Sequence, residues 1–173
     1  MNFQEIIADR YSVRKFQDKK LPKDVIDKIV KAGHLAPTAC NLQPQRILVI
    51  DDSEALAKLK ECTRCHFDAP AAMLVCCDKT ECWVRKYDGK SSGEIDASIV
   101  TTYMMLAAWD VGVGTTWVMH FNPQAMREKM GVPDNLEPVA LLVMGYADVE
   151  AKPYSGHYEF KDIGETVFYN TFD

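Results

Sequence analysis

Residues 93–119 read GEIDASIVTTYMMLAAWDVGVGTTWVM, and this stretch decides the fold. Gly93 to Val111 is the longest helix candidate in the chain. Ile95, Ile99, Tyr103, Leu106 and Val111 recur along one side, and Val100, Met104, Ala107 and Ala108 widen the apolar surface almost all round. A helix that is apolar on most faces lies in the middle of something. In a chain of 173 residues a subunit interface is one candidate for that middle beside the core, so Met104 and Met105 are expected to serve interface packing and Tyr103 and Trp109 core or dimer contacts. Gly112-Val113-Gly114 ends the helix and Thr115 to Met119 reads as a strand. The glycines are too few for a dinucleotide fingerprint, and they follow a helix instead of opening one. What they offer is close backbone approach, which could let amide N–H groups touch a ligand.

Outward from this stretch, helices and strands intermingle. Asn2 with Glu5 forms a capping-box start for a short helix. Pro22 opens a second helix whose Val25, Ile26, Ile29 and Val30 recur at helical spacing, stopped by Ala36-Pro37-Thr38. Arg46–Ile50 reads as a strand, Ser53 as the cap of a third helix carrying Leu56 and Leu59, and Ala71–Val75 as a buried strand. Asn122-Pro123 starts a short helix closed by Gly131, and Val139–Met144 is the last strong strand. The tail from Lys152 ends in Val167, Phe168, Tyr169 and Phe172, aromatics in need of a surface. No repeat or linker divides residues 1–173, which read as one domain of α/β or α+β class.

Composition removes several functions. The chain is 47% hydrophobic and 26% charged, with a net charge of −5, which argues against a nucleic-acid surface. No apolar run approaches the roughly 20 residues that would span a bilayer, and the start of the chain lacks a basic export signal, so a cytoplasmic location is expected. The six cysteines then read as reduced thiols. Cys62 and Cys65 with His66 have metal-like spacing, which leaves a zinc-thiolate structural role as a rival, but Cys76 and Cys77 are adjacent on a strand and point to opposite faces, so both cannot serve one metal. No metal site is assigned.

Two further segments carry candidate chemistry. In Arg10-Tyr11-Ser12-Val13-Arg14-Lys15-Phe16, extended backbone would aim Arg10, Ser12 and Arg14 the same way, two guanidinium forks and a hydroxyl on one small volume. That is a phosphate-binding donor set, and the alternative is a solvated basic stretch. In Ala36-Pro37-Thr38-Ala39-Cys40-Asn41-Leu42-Gln43-Pro44-Gln45, two prolines stiffen a loop that displays a hydroxyl and two amides, able to read the donor and acceptor edge of a uracil-like ring. An ordinary connecting loop is the alternative.

The early RxSxR followed by Phe, the APTxxNxQP loop, the glycine-threonine-tryptophan turn after a long apolar helix, and Gly145-Tyr146-Ala147 with Lys152-Pro153 occur in one order. Taken together they resemble the FMN-dependent nitroreductase family over nearly the whole chain. The resemblance implies an α+β fold with a central, mainly antiparallel sheet flanked by helices, and an intertwined homodimer with two FMN sites between subunits. It implies that Arg10, Tyr11, Ser12 and Arg14 hold the phosphate side of the cofactor. Pro37, Thr38 and Asn41 would reach the partner's flavin, and Gln43 the ring or ribityl chain. Thr116, Trp117, Val118 and Met119 would lie along the flavin. The implied activity is ping-pong transfer from NAD(P)H through flavin N5 to a small acceptor, a nitroaromatic, quinone or enone, with the chemistry on FMN and no catalytic side chain named. A specialised reaction such as reductive dehalogenation, or a flavin sensor or store without turnover, are the alternatives. The chain departs from the family pattern after Lys152-Pro153, where His157 stands in for a basic phosphate contact. The segment from Asp78 to Ser92 is short, with Trp83 and Tyr87 as the available lid.

Overall fold

The computed structural model describes residues 2–172. Four strands form one antiparallel sheet in the order β1-β2-β4-β3: β1 (Gln45–Ile50), β2 (Ala71–Asp78), β3 (Gly114–Val118) and β4 (Leu136–Gly145). With helices α1 (Phe3–Asp9), α2 (Lys23–His34), α3 (Ser53–Cys62), α4 (Gly93–Asp110) and α5 (Pro123–Met130), the chain is α+β, as the resemblance implies.

The central strands are buried along almost their whole length, because helices cover both faces. Strand periodicity sorts their side chains. Met73, Val75, Leu142 and Met144 face α2 and α4, whereas Ala72, Leu74, Leu141 and Val143 face the layer of α3 and α5. Cys76 and Cys77 continue β2 and fall in opposite layers, as adjacent strand residues must.

The local signals account for most boundaries. Asn2 accepts from the Glu5 amide at 3.0 Å while Glu5 accepts from the Asn2 amide at 2.9 Å, completing the capping box of α1. Asn122 caps α5 and Gly131, left-handed at φ 68°, closes it. The cap of α3 is Asp52 and not Ser53: its carboxylate accepts from both the Glu54 and Ala55 amides at 2.9 Å, a stronger anionic cap one residue earlier. Helix α4 is placed as its sequence suggests, at the centre, but Met104 is wholly buried between α2 and the sheet instead of lying at a free surface. A Cβ on Gly33 of α2 would sit 2.7 Å from Met104 Cγ, so α2 and α4 pack as closely as backbone allows. The side of α4 left uncovered carries Ile95, Ile99, Thr102 and Tyr103, with Ile95 53% and Tyr103 43% exposed. Among the described residues no helix is long and apolar enough to cross a membrane.

Candidate active site

After α1 the backbone turns extended at Arg10 and runs beside β3. Ser12 bridges Thr115 in parallel, the Val13 amide donates to the Thr115 carbonyl at 2.9 Å, and the Thr116 hydroxyl donates to the Val13 carbonyl at 2.5 Å. Val13 is fully buried, in a notch that exists because residue 114 is glycine: a Cβ there would lie 2.6 Å from Val13 Cγ2. At Gly114 the close approach expected of this turn serves to pack the N-terminal segment. With Val13 turned inward, alternation sets Ser12 and Arg14 on the other side. The Arg14 guanidinium donates to the Ser12 carbonyl at 3.4 Å. Lys15 is committed elsewhere, to Glu150 at 2.7 Å.

Arg10 is half-buried, and among the described residues its side chain has no ion pair and no hydrogen bond. Burial lowers its pKa from the ordinary value, yet a guanidinium remains charged at neutrality. A partly desolvated cation without an acid is a cost that a bound anion would relieve.

The tail joins the same corner. The Tyr11 ring meets Trp109 edge-on at 5.3 Å and His157 at 6.4 Å, His157 meets Tyr158 at 4.6 Å, and the Tyr11 hydroxyl donates to the Ala151 carbonyl at 3.4 Å. Among the described residues, buried Trp109 Nε1 has no acceptor.

The loop from Ala36 to Gln45 is held in a demanding shape. Cys40, Asn41 and Gln43 all have φ between 51° and 54°, a left-handed region that costs of order 1–3 kcal/mol for each side-chain-bearing residue. The hydroxyl of Thr38 accepts from the Gln43 amide at 3.0 Å, and the Gln43 side chain donates to the Asn41 carbonyl at 3.2 Å. Asp96, only 2% exposed in the first turn of α4, accepts from the Ala39 amide at 2.9 Å and from the Ser92 hydroxyl at 2.7 Å. This carboxylate pins the loop to α4, and the sequence reading missed it. The available signal was an acid four residues after a serine at the start of an otherwise apolar helix. The result leaves Pro37, Asn41 and Gln43 exposed and Thr38 half-buried.

Along β3 the predicted residues diverge. Thr116 is buried with its hydroxyl on Val13, Val118 is buried in the α3–α5 layer, Trp117 is half-buried toward α4, and Met119 lies beyond the strand, largely exposed. Trp83 is partly exposed and Tyr87 almost fully so.

These residues form two groups. Arg10, Tyr11, Ser12, Arg14, Thr116 and His157 gather near the C-terminal end of α4, whereas Pro37, Thr38, Asn41 and Gln43 hang from its N-terminal end. Asp96 and Trp109 mark the two ends, and at 1.5 Å per residue they stand about 20 Å apart along the helix axis.

Comparison with known proteins agrees with the fold. The profile of the nitroreductase family matches residues 7–86 and 66–146. A nitroreductase family protein of Clostridium difficile 630, solved by crystallography, superposes with a TM-score of 0.93 at 42% identity, covering 99% of each chain. An FMN-dependent nitroreductase of Clostridium difficile R20291 superposes at 0.79 with 28% identity, over 98% of this chain and 100% of that one. A protein of Archaeoglobus fulgidus, assigned by name as an NADH dehydrogenase/NAD(P)H nitroreductase, is 30% identical over 90% of this chain and 91% of its own length. The chain belongs to the nitroreductase family.

Proposed function

We propose that this chain is an FMN-dependent NAD(P)H oxidoreductase that works in the cytoplasm as a homodimer, each cofactor site built from both subunits. The observation that carries this reading is the separation of about 20 Å along α4, most of the helix's length, between the anchors of the two halves of the donor set. A two-fold axis that lays α4 antiparallel on its copy would bring the N-terminal end of one helix beside the C-terminal end of the other, completing two equivalent sites. The uncovered Ile95, Ile99 and Tyr103 stripe supplies an apolar seam for that contact, and the exposed tail aromatics Phe160, Tyr169 and Phe172 supply arms to wrap it.

The residues fit the cofactor. The unpaired, half-buried Arg10 with Arg14 and Ser12 suits a phosphate, with His157 adding a donor beside Tyr11. The strained loop offers Thr38, Asn41 and Gln43 to the polar edge of a ring, stiffened by Pro37 and Pro44. Trp117 and Met119 would border the ring, while Thr116 and Val118 fix the strand that carries Trp117. Bound there, FMN supplies a ring that accepts a hydride at N5 from NAD(P)H and passes electrons to a second small molecule. The protein's part is to hold the phosphate, orient the ring and present one open face to donor and acceptor in turn. The acceptor is a flat, electron-poor molecule of nitroaromatic, quinone or enone type.

The test begins with purified protein titrated with FMN. Quenching of flavin fluorescence and a yellow, NAD(P)H-bleachable spectrum under anaerobic conditions are expected. Arg10→Gln removes a charge-assisted contact of about 1.5–3 kcal/mol, which weakens FMN binding roughly 10- to 150-fold. A chain that takes up no FMN, or one that binds it equally well without Arg10, overturns the site. Flavin bound but reduced by neither nicotinamide would make the protein a binding module and not an enzyme.

A further inference from the structure

A pair of thiols outside the site forms a second reactive centre. Cys77 faces the α4 layer near the end of β2, and the chain then turns back sharply. The Asp78 carbonyl accepts from the Glu81 amide at 3.1 Å and from the Cys82 thiol at 3.0 Å, which returns Cys82 to the side of Cys77. The two thiols are close enough for Cys82 to raise the pKa of Cys77. Their position against α4 depends on Gly93: a Cβ there would lie 2.7 Å from Cys82 Sγ and 2.8 Å from Cys77 Sγ. Both sulfurs therefore pack against the same glycine at the first position of the helix, in the place a side chain would occupy. Their exposure is unequal, Cys77 being buried and Cys82 half-buried at the head of an exposed loop.

We propose that Cys77 and Cys82 are an oxidisable pair that closes to an intrachain disulfide when a peroxide reaches Cys82. In the first step the Cys82 thiolate, its proton given up to water, attacks one peroxide oxygen. The O–O bond breaks, leaving a sulfenic acid on Cys82 and releasing water. In the second, Cys77 sulfur attacks Cys82 sulfur, the S–OH bond breaks, and the hydroxide leaves with the Cys77 proton as a second water. Two thiols lose two electrons and two protons, and hydrogen peroxide becomes two waters. Burial pushes the Cys77 thiol up to about 12, with its neighbour Cys82 adding to the shift. That casts Cys82, the more accessible of the two, as the first target and makes the second step the slow one. Closure draws Cys82 off the Asp78 carbonyl, next to Gly93 and the Ser92–Asp96 contact that holds the loop at Ala39.

The experiment uses the full chain, hydrogen peroxide, alkylation of remaining thiols and tryptic digestion. Cleavage after Arg64, Lys79 and Arg85 separates Cys77, in residues 65–79, from Cys82, in residues 80–85. The expected product is these two peptides linked, two hydrogens lighter than their sum, with fragment ions placing the bond on Cys77 and dithiothreitol reversing it. Cys76→Ser is expected to form the link as readily as the unmodified chain. Gly93→Ala, whose methyl would wedge between the sulfurs, is expected to lower the yield several-fold. Cys82 recovered only as sulfinic or sulfonic acid beside reduced Cys77, or bonded instead to Cys65 or Cys76, overturns the proposal.

Discussion

Asp96 shows how much one buried carboxylate can decide. It satisfies the Ala39 amide and the Ser92 hydroxyl together, and the left-handed residues Cys40, Asn41 and Gln43 lie just beyond that anchor. Asp96→Ala leaves a buried donor unpaired, a cost of about 1–3 kcal/mol. For a domain of this size that is a fall in melting temperature of roughly 2–12 °C. FMN binding is expected to weaken as well, because the loop loses its pinned shape, whereas Asp96→Asn keeps one acceptor for Ala39 and is expected to be milder in both readouts. Differential scanning fluorimetry beside flavin titration checks this. Asp78 offers a pH test. The Thr80 hydroxyl and then the Thr80 amide, with Asn135 and Arg46 further on, hold its carboxyl below the usual carboxylate range. A depressed folded-state value means that the contribution is present above the unfolded value of about 4 and is lost as pH falls through the folded one. The melting temperature of Asp78→Asn should therefore fall less steeply than that of the parent chain below about pH 4. At this scale the alternation of Arg10, Ser12 and Arg14 was legible, because period-two geometry needs only an extended backbone. Asp96 and the Val13 notch at Gly114 were not, because both are defined by partners far along the chain.

Among the elements, α4 was the most legible and the most incompletely read. Its all-round apolar surface predicts a central helix, and α4 indeed packs on the sheet and on α2. Apolarity alone does not say which side meets which neighbour. The sheet and α2 take Val100, Met104 and Ala108, while Ile95 and Tyr103 remain exposed and Ile99 is only half-buried, so a helix with two apolar faces looks uniform in sequence. The distinction makes an opposed pair of predictions. Met104→Ala opens a cavity beneath Gly33 and should cost about 2–5 kcal/mol, read as a lower urea midpoint. Tyr103→Asp places a charge on the uncovered side and should leave that midpoint close to the parent's when both are measured as monomers. The boundary of β4 came out short in the sequence reading, since Glu137 and Pro138 break the apolar run while the ladder continues to Leu136.

For the whole molecule, the proposed dimer would link assembly to cofactor binding, because the candidate donors divide between the two ends of α4. If each FMN needs Arg10 from one subunit and Asn41 from the other, a lone chain holds only half of each site and binds weakly. Whatever binds the dimer and not the monomer stabilises the dimer, by about 2.7 kcal/mol per site at a ligand concentration of 100 times its dissociation constant. With two sites per dimer the effect doubles, so the dimer should persist at far greater dilution with FMN than without it. Sedimentation velocity across a dilution series, with and without FMN, measures this directly. The coupling is reciprocal. Tyr103→Asp, which charges the exposed side of α4 without touching either donor group, should yield a folded monomer by circular dichroism and weaken FMN binding at least as much as Arg10→Gln does. A monomeric Tyr103→Asp that binds FMN like the parent chain would mean that one subunit's residues suffice. The loop at Ala39 would then have to reach its own N-terminal arginines across the length of α4, and the two-fold arrangement would fall with it.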